Sequence, residues 1–268
     1  MNIKINKNIS IGKNSPLVLI AGPCVIENES HPIFMAEKIK VICEKLKIPF
    51  IFKTSFDKAN RTALSHYRGV DIDTAVKIFE KIKKEFDIPV TTDFHESWQA
   101  DLLKDSVDIL QIPAFLSRQT DMLVSAANTG LPINIKKGQF LSGENMERAV
   151  EKVRLSGNDN VILTERGNIY GYGDAIVDIR NIIIMKKFAP VIFDATHSVQ
   201  KGCIGGSKGS NIQFIEPLAK AAMAVGVDGL FIETHDNPDR ALSDGTSSIK
   251  LSNLEHTLEE ILKINGDR

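Results

Sequence analysis

Six basic residues in this chain stand where apolar runs end. Lys53 closes PFIFKTSF (49–56), and Lys58 and Arg61 lie in the loop behind it. Lys136 and Lys137 close LPINIKKG (131–138), and Arg166 sits in VILTERG (161–167). An ammonium or guanidinium turned into a closed cavity loses its hydration unless an anion meets it. Several cations converging on one place therefore imply phosphate or carboxylate ligands. Any one of them could instead face solvent or pair with Asp57, Asp93 or Glu165. For the whole set, that account has to hold at three separate strand ends.

A second set is Cys24, His197, Glu233 and Asp244, lying at or just beyond the ends of other apolar runs. One thiolate, one imidazole and two carboxylates suit a divalent transition metal such as Zn²⁺, Fe²⁺ or Mn²⁺. No local motif such as CxxC supports this. Each residue also has an ordinary role open to it: a small core thiol, a hydrogen-bonded histidine, two solvated acids. His95, His235 and Asp93 compete for acid–base work, while His31, His66 and His256 fall in helices or loops and read as surface residues. Cys203 reads as an exposed thiol without a base beside it. The run GGSKG (205–209) resembles a phosphate cradle but lacks the strand–loop–helix context, which leaves a mobile loop.

The elements that must position these side chains are eight apolar runs: 17–24, 49–56, 89–95, 108–115, 131–138, 161–167, 190–197 and 229–235. Continuous Val/Ile/Leu/Phe runs are the signature of parallel strands covered by helices on both faces. Between them lie stretches of helical period at 31–46, 73–86, 120–130, 144–157, 174–188, 212–226 and 254–264, with 95–105 filling the place between the third and fourth strands. In 73–86 the stripe is Val76, Phe79, Ile82 and Phe86, with most charges opposite. Eight strand–helix alternations predict an α/β fold, a (β/α)8 TIM barrel, whose strand C-termini share one mouth. Residues 2–14 alternate Ile with Asn and Lys and predict a β-hairpin capping the barrel floor. With no shift in composition and no linker, residues 1–268 read as a single domain. The long connections 56–72 and 198–211 read as substrate covers.

Composition restricts the partners. The 268 residues carry 33 Lys and Arg against 34 Asp and Glu, a net charge of −1, so no global basic field favours nucleic acid or an anionic membrane. Anion binding must then be local. The polar start, MNIKINKNISIGKN, has no apolar signal region, and no run approaches the roughly 20 residues that span a bilayer. Three cysteines are too few and too scattered for a disulfide framework. A cytoplasmic enzyme or binding protein is the expectation.

The segment FKTSFDKANRTA (52–63) makes the reading specific. Together with AGPCVIE (21–27), TDFHE (92–96), QIPAF (111–115), IKKGQF (135–140), LTERG (163–167), FDATHSVQ (193–200) and GLFIETHDNPDRALSDG (229–245), it resembles the 3-deoxy-D-manno-octulosonate 8-phosphate synthases from about residue 15 to 262. The resemblance implies a transferase that condenses phosphoenolpyruvate with D-arabinose 5-phosphate and water, for the inner core of lipopolysaccharide. It implies that Lys53, Lys58, Gln111, Lys136 and Arg166 hold phosphoenolpyruvate, and that Asn60, Arg61, Thr62, Asp93 and Phe115 receive arabinose 5-phosphate. Lys136, His197 and Asp244 would be catalytic. Cys24 marks the metal-dependent branch, where the other branch has Asn, and implies a divalent metal on Cys24, His197, Glu233 and Asp244. The usual assembly is a homotetramer in which Pro113, Ala114 and Phe115 reach a neighbouring subunit's site. The sister family, which uses erythrose 4-phosphate, shows Lys-Pro-Arg-Thr where this chain has KANRT. Two further readings are a Schiff-base aldolase using Lys136 and a sugar-phosphate-binding protein. The segments GSKGSNIQF and GTSSIKL depart from the family pattern.

Overall fold

A strand buried on both faces still alternates its side chains, and here that parity divides the interior into two cores. The computed structural model describes residues 1–170, 173–201 and 210–264. Eight parallel strands form the barrel: β3 (Val18–Gly22), β4 (Phe50–Lys53), β5 (Val90–Asp93), β6 (Ile109–Ile112), β7 (Ile133–Lys136), β8 (Val161–Glu165), β9 (Val191–Asp194) and β10 (Gly229–His235). They pair in chain order, and β10 closes the ring by pairing with both β9 and β3. Before them comes an antiparallel hairpin, β1 (Asn2–Lys4) with β2 (Ser10–Gly12); β11 (Ile249–Lys250) adds to the end of β10. The helices are α1 (His31–Leu46), α2 (Ile72–Phe86), α3 (Gln99–Leu103), α4 (Thr120–Asn128), α5 (Met146–Leu155), α6 (Arg180–Met185), α7 (Ile215–Ala224) and α8 (Leu251–Leu262). The expected (β/α)8 barrel with its hairpin is the architecture found.

One parity of each strand faces the helices. Leu19, Phe52, Val90, Leu110, Ile133, Leu163, Phe193 and Leu230 belong to the outer core. The other parity points into the barrel, where Val18, Ile20, Ile51, Ile109, Ile162, Ile192 and Phe231 form a separate inner cluster. Ile3 and Ile11 of the hairpin, 2% and 0% exposed, complete that inner cluster and seal the floor.

The helices follow their stripes. In α2, Ile78, Phe79 and Ile82 are buried and Val76 and Phe86 pack against the core at its edge. Asp71 caps α2 by accepting from the Thr74 amide at 2.9 Å. The stretch 174–188 yields a shorter helix than its period predicts. Residues 168 and 176 pair instead as an antiparallel bridge, and the Asp178 carboxylate takes the Arg180 amide at 3.0 Å, so the helix starts at Arg180. Cys203, the run 205–209 and most of the expected cover 198–211 lie outside the described residues.

Gly22 is a close-approach glycine. A Cβ built there would stand 1.9 Å from the Lys53 carbonyl oxygen, a backbone atom that cannot yield without shifting β4. Gly22→Ala is expected to cost about 1–3 kcal/mol in urea-unfolding stability. A loss within error of zero would mean that β3 and β4 slide apart freely.

Candidate active site

Continued to the strand ends, the inward parity changes from apolar to polar. Ile51 is followed by Lys53, Thr91 by Asp93, Ile109 by Gln111, Asn134 by Lys136, Ile192 by Asp194 and Phe231 by Glu233. Arg166 continues the inward register of Ile162 and Thr164. Above this layer is a cavity of about 270 Å³ whose wall includes Lys53, Asp93, Gln111, Lys136, Arg166 and His197. The loop after β4 supplies Lys58, Asn60, Arg61 and Thr62; Phe115 comes from the loop after β6, and Asp244 from the loop after β10. Every residue expected to bind either substrate therefore lines one cavity.

Two of the cations inside it, Lys136 and Lys53, are each held by an acid on the next strand but one. Lys136 Nζ lies 2.5 Å from Asp194, 3.4 Å from His197 Nδ1 and 4.2 Å above the Phe231 ring. Lys53 Nζ donates to Ser55 Oγ at 2.9 Å and to Glu233 at 3.4 Å, with Asp93 at 3.9 Å. Lys58 shares the Ser55 hydroxyl at 2.8 Å. Arg166 Nη2 donates to Gln200 at 2.7 Å. Arg61 is tied back to its own loop, Nε on the Tyr67 carbonyl at 2.8 Å and Nη2 on the Leu242 carbonyl at 3.3 Å.

This crowding moves the ionisations. Burial alone would raise the Glu233 pKa, but His197, Lys53, Lys58 and Lys136 pull it down to about 2. Burial also opposes the Asp93 charge, and Lys53, His95 and Lys58 overcome it, so Asp93 falls well below the carboxylate range. Asp194 is likewise depressed, by His197 and Lys136 acting against burial. Burial lowers the Lys136 amine, with Asp194 working the other way.

Cys24 and Glu233 sit beneath the cavity floor, 2% and 0% exposed. Cys24 Sγ is 2.9 Å from Ser243 Oγ and 3.4 Å from Asp244 Oδ2. Ligand atoms of Cys24, Glu233 and Asp244 lie within 4.8 Å of one another. His197 Nε2 is 3.7 Å from Glu233 Oε1, and its Nδ1 is 2.8 Å from Asp194. Burial, then Asp244 and Glu233, push the Cys24 thiol up, and Glu233 Oε2 is buried without a hydrogen-bond partner. A soft donor beside two carboxylates, with an orphaned carboxylate oxygen, fits a divalent cation.

Two expectations are corrected. Lys137 is not among the cavity cations: it has the outward parity, is 0% exposed, and its Nζ lies 3.5 Å from Glu165, the very pairing considered as the alternative. His31 is not a surface residue. Its side chain is 10% exposed, with Nε2 3.0 Å from Asp236 and its ring 4.6 Å from that of His235. His66 and His256 are exposed as expected. Glu27, His31 and His235 form a second cluster of ligand-type groups, bonded to one another and to Asp236 except at His31 Nδ1, which is buried without a hydrogen-bond partner. The Asn237 amide donates to His235 Nδ1 at 2.9 Å, which leaves the Nε2 proton for Glu27 at 3.3 Å.

Sequence reasoning missed Asp194, Phe231, Gln139 and Gln200. The first two carry the inward parity of β9 and β10, and the period of two along each strand is the signal that places them.

The DAHP synthetase I family model matches residues 1–266. A protein of Bartonella henselae named 2-dehydro-3-deoxyphosphooctonate aldolase is 52% identical over 96% of this chain and 93% of its own length. Proteins of the same name from a Synechococcus strain and from Koribacter versatilis are 49% and 51% identical, over 97% and 96% of this chain and 93% and 94% of theirs.

Proposed function

This chain belongs to the DAHP synthetase I family, and we propose that within it the chain condenses phosphoenolpyruvate with D-arabinose 5-phosphate and water, releasing phosphate and forming 3-deoxy-D-manno-octulosonate 8-phosphate. One observation carries the reading. The KANRT loop delivers Asn60, Arg61 and Thr62 to the same cavity that holds Lys53, Lys136 and Arg166. Two anion sites then face each other across one small space.

Lys53, Lys58, Gln111, Lys136 and Arg166 bind the phosphate and carboxylate of phosphoenolpyruvate. Asn60, Arg61, Thr62, Asp93 and Phe115 receive the pentose phosphate, with its aldehyde turned toward C3 of the enol. Fixed cations offset the cost of bringing two polyanions together, and orientation then supplies much of the rate. C3 attacks the aldehyde carbon, water adds at C2, and the resulting hemiketal phosphate loses phosphate by C–O cleavage. Lys136 meets the charge developing on the phosphate side and holds a proton at Nζ, which its burial makes easier to release. His197, fixed through Nδ1 by Asp194, and Asp244 orient the water and the aldehyde.

Cys24, His197, Glu233 and Asp244 would hold a divalent metal, Zn²⁺, Fe²⁺ or Mn²⁺, which when bound acts as a Lewis acid that orients an oxygen. The Lys136–Asp194 pair at 2.5 Å opposes loss of the amine's proton, which disfavours a Schiff-base aldolase. The names of the relatives and the Asn60–Arg61 pair disfavour erythrose 4-phosphate as the partner. We further read residues 1–268 as one domain working in the cytoplasm, where a free buried Cys24 thiol is maintained. Exposed Phe115 and Phe140, 37% and 54% accessible near the mouth, support a homotetramer.

The deciding assay is phosphate release from phosphoenolpyruvate with each aldose. Arabinose 5-phosphate should be the preferred partner; faster release with erythrose 4-phosphate would overturn the assignment. Arg61→Ala is expected to raise KM for arabinose 5-phosphate about tenfold to a hundredfold, with KM for phosphoenolpyruvate nearly unchanged. Equal rises in both would remove Arg61 from the pentose site.

A further inference from the structure

Lys137 is a completely buried lysine that the reaction does not use. Its Nζ has five oxygens within 3.5 Å: Glu165 Oε1 at 3.5 Å, and the Gly138, Leu141, Gly167 and Asn168 oxygens at 3.4, 3.1, 3.2 and 3.0 Å. Four partners belong to two loops, the one after β7 and the one after β8. These loops are joined again by the Ile169 amide on the Gln139 carbonyl at 3.0 Å and by Asn168 Nδ2 on the Leu141 carbonyl at 2.6 Å. Glu165 in turn accepts the Gly167 amide at 2.5 Å. Arg166 is thus bracketed, the side chain before it and the carbonyl after it both fixed to one ammonium. Lys136 and Gln139 flank that ammonium along the chain and line the cavity.

We propose that Lys137 is a positioning residue for the phosphoenolpyruvate end of the site, locking the loops after β7 and β8 so that Arg166 and Lys136 keep their spacing. A lysine spends an ion's desolvation in a place where a leucine would pack, and such a charge does not by itself favour stability over an apolar replacement. What it provides is direction. Three protons on one nitrogen tie carbonyls from two separate loops, which no apolar side chain can do. Among the described residues, no hydrogen bond or ion pair joins the pentose-binding loop after β4 to Lys137, Glu165 or Asn168, so loosening the knot should affect one substrate and spare the other. The inference rests on the reading that Arg166 and Lys136 bind phosphoenolpyruvate.

The test is direct calorimetric binding of phosphoenolpyruvate to the full-length protein, with KM for arabinose 5-phosphate measured alongside. Lys137→Met should weaken phosphoenolpyruvate binding about tenfold to a hundredfold, as displacements near 1 Å do, and leave the pentose KM within about twofold. Asn168→Ala, which removes the bond from Lys137 and the bond of Asn168 to the Leu141 carbonyl while leaving the lysine in place, should move the same affinity about threefold or more in the same direction. It decides the matter if the methionine variant does not fold. Unchanged phosphoenolpyruvate affinity, with only the melting temperature lowered, would overturn the proposal, as would equal losses for both substrates. Failure of the wild-type protein to bind phosphoenolpyruvate would instead remove the functional reading on which it rests.

Discussion

Replacing Lys136 with methionine should lower kcat/KM for phosphoenolpyruvate about a thousandfold. Methionine keeps the stem's bulk over Phe231 and removes only the charge, which stands 4.2 Å above that ring and 2.5 Å from Asp194. Two losses combine. The phosphate side of the substrate loses a buried cation, and Asp194 is left ionised with His197 and backbone amides as its remaining partners. The second loss could mimic the first by disturbing the fold, so the control is the double variant Lys136→Met, Asp194→Asn, which restores neutrality without the ammonium. If the double variant melts like the wild type and is still about a thousandfold slower, the amine itself carries the effect. A loss under tenfold in either protein would remove Lys136 from the chemistry. Stopped assays of phosphate release give the rates, and circular dichroism reports the fold.

The second large effect concerns the corner beneath the cavity. Stripping divalent ions with a chelator is expected to reduce activity about a hundredfold or more, restored by adding back Zn²⁺, Fe²⁺ or Mn²⁺. Metal analysis of Cys24→Ala should find the ion lost at concentrations that leave the wild type loaded, because the variant lacks the only soft donor of the set. Cys24→Asn is the informative counterpart. Asparagine can hold an oxygen by hydrogen bonding where the metal held it by coordination, so this variant should keep activity in chelator. Undiminished activity in metal-free wild-type protein would show that these residues serve no ion. Loss in Cys24→Asn that nothing restores would mean that the metal does more than orient.

The barrel was legible because its signals are local: apolar runs bounded by polar residues, and helical stripes between them. The polar strand ends also located the mouth. Two features were within reach but needed the strand period applied one residue further. Lys136 and Lys137 are neighbours in sequence with opposite parity, so only one of them can face the cavity, and Glu165 shares the outward parity of Lys137. The partnerships across the barrel were not legible. Lys136 on β7 meets Asp194 on β9, and Lys53 on β4 meets Glu233 on β10. In each case one strand lies between, because a barrel's inward layers are filled from alternate strands. Those pairings depend on how the closed sheet staggers, which no local pattern records. The burial of His31 is illegible for a similar reason: it opens a helix, and nothing around it in sequence announces that His235 and Asp236 will fold over it.

Parity in the strands works as a reading frame. Substitutions within one phase alter a single side chain, but a deletion or insertion inside a strand transposes everything downstream to the next turn. Losing one residue from Ile133–Asn134 would send Lys136 outward among the helices and bring Lys137 into the mouth, exchanging a substrate ligand for a structural bolt without changing either amino acid. Lineages of this barrel can therefore drift freely in spelling and lengthen their loops, while the strands remain almost closed to changes in length.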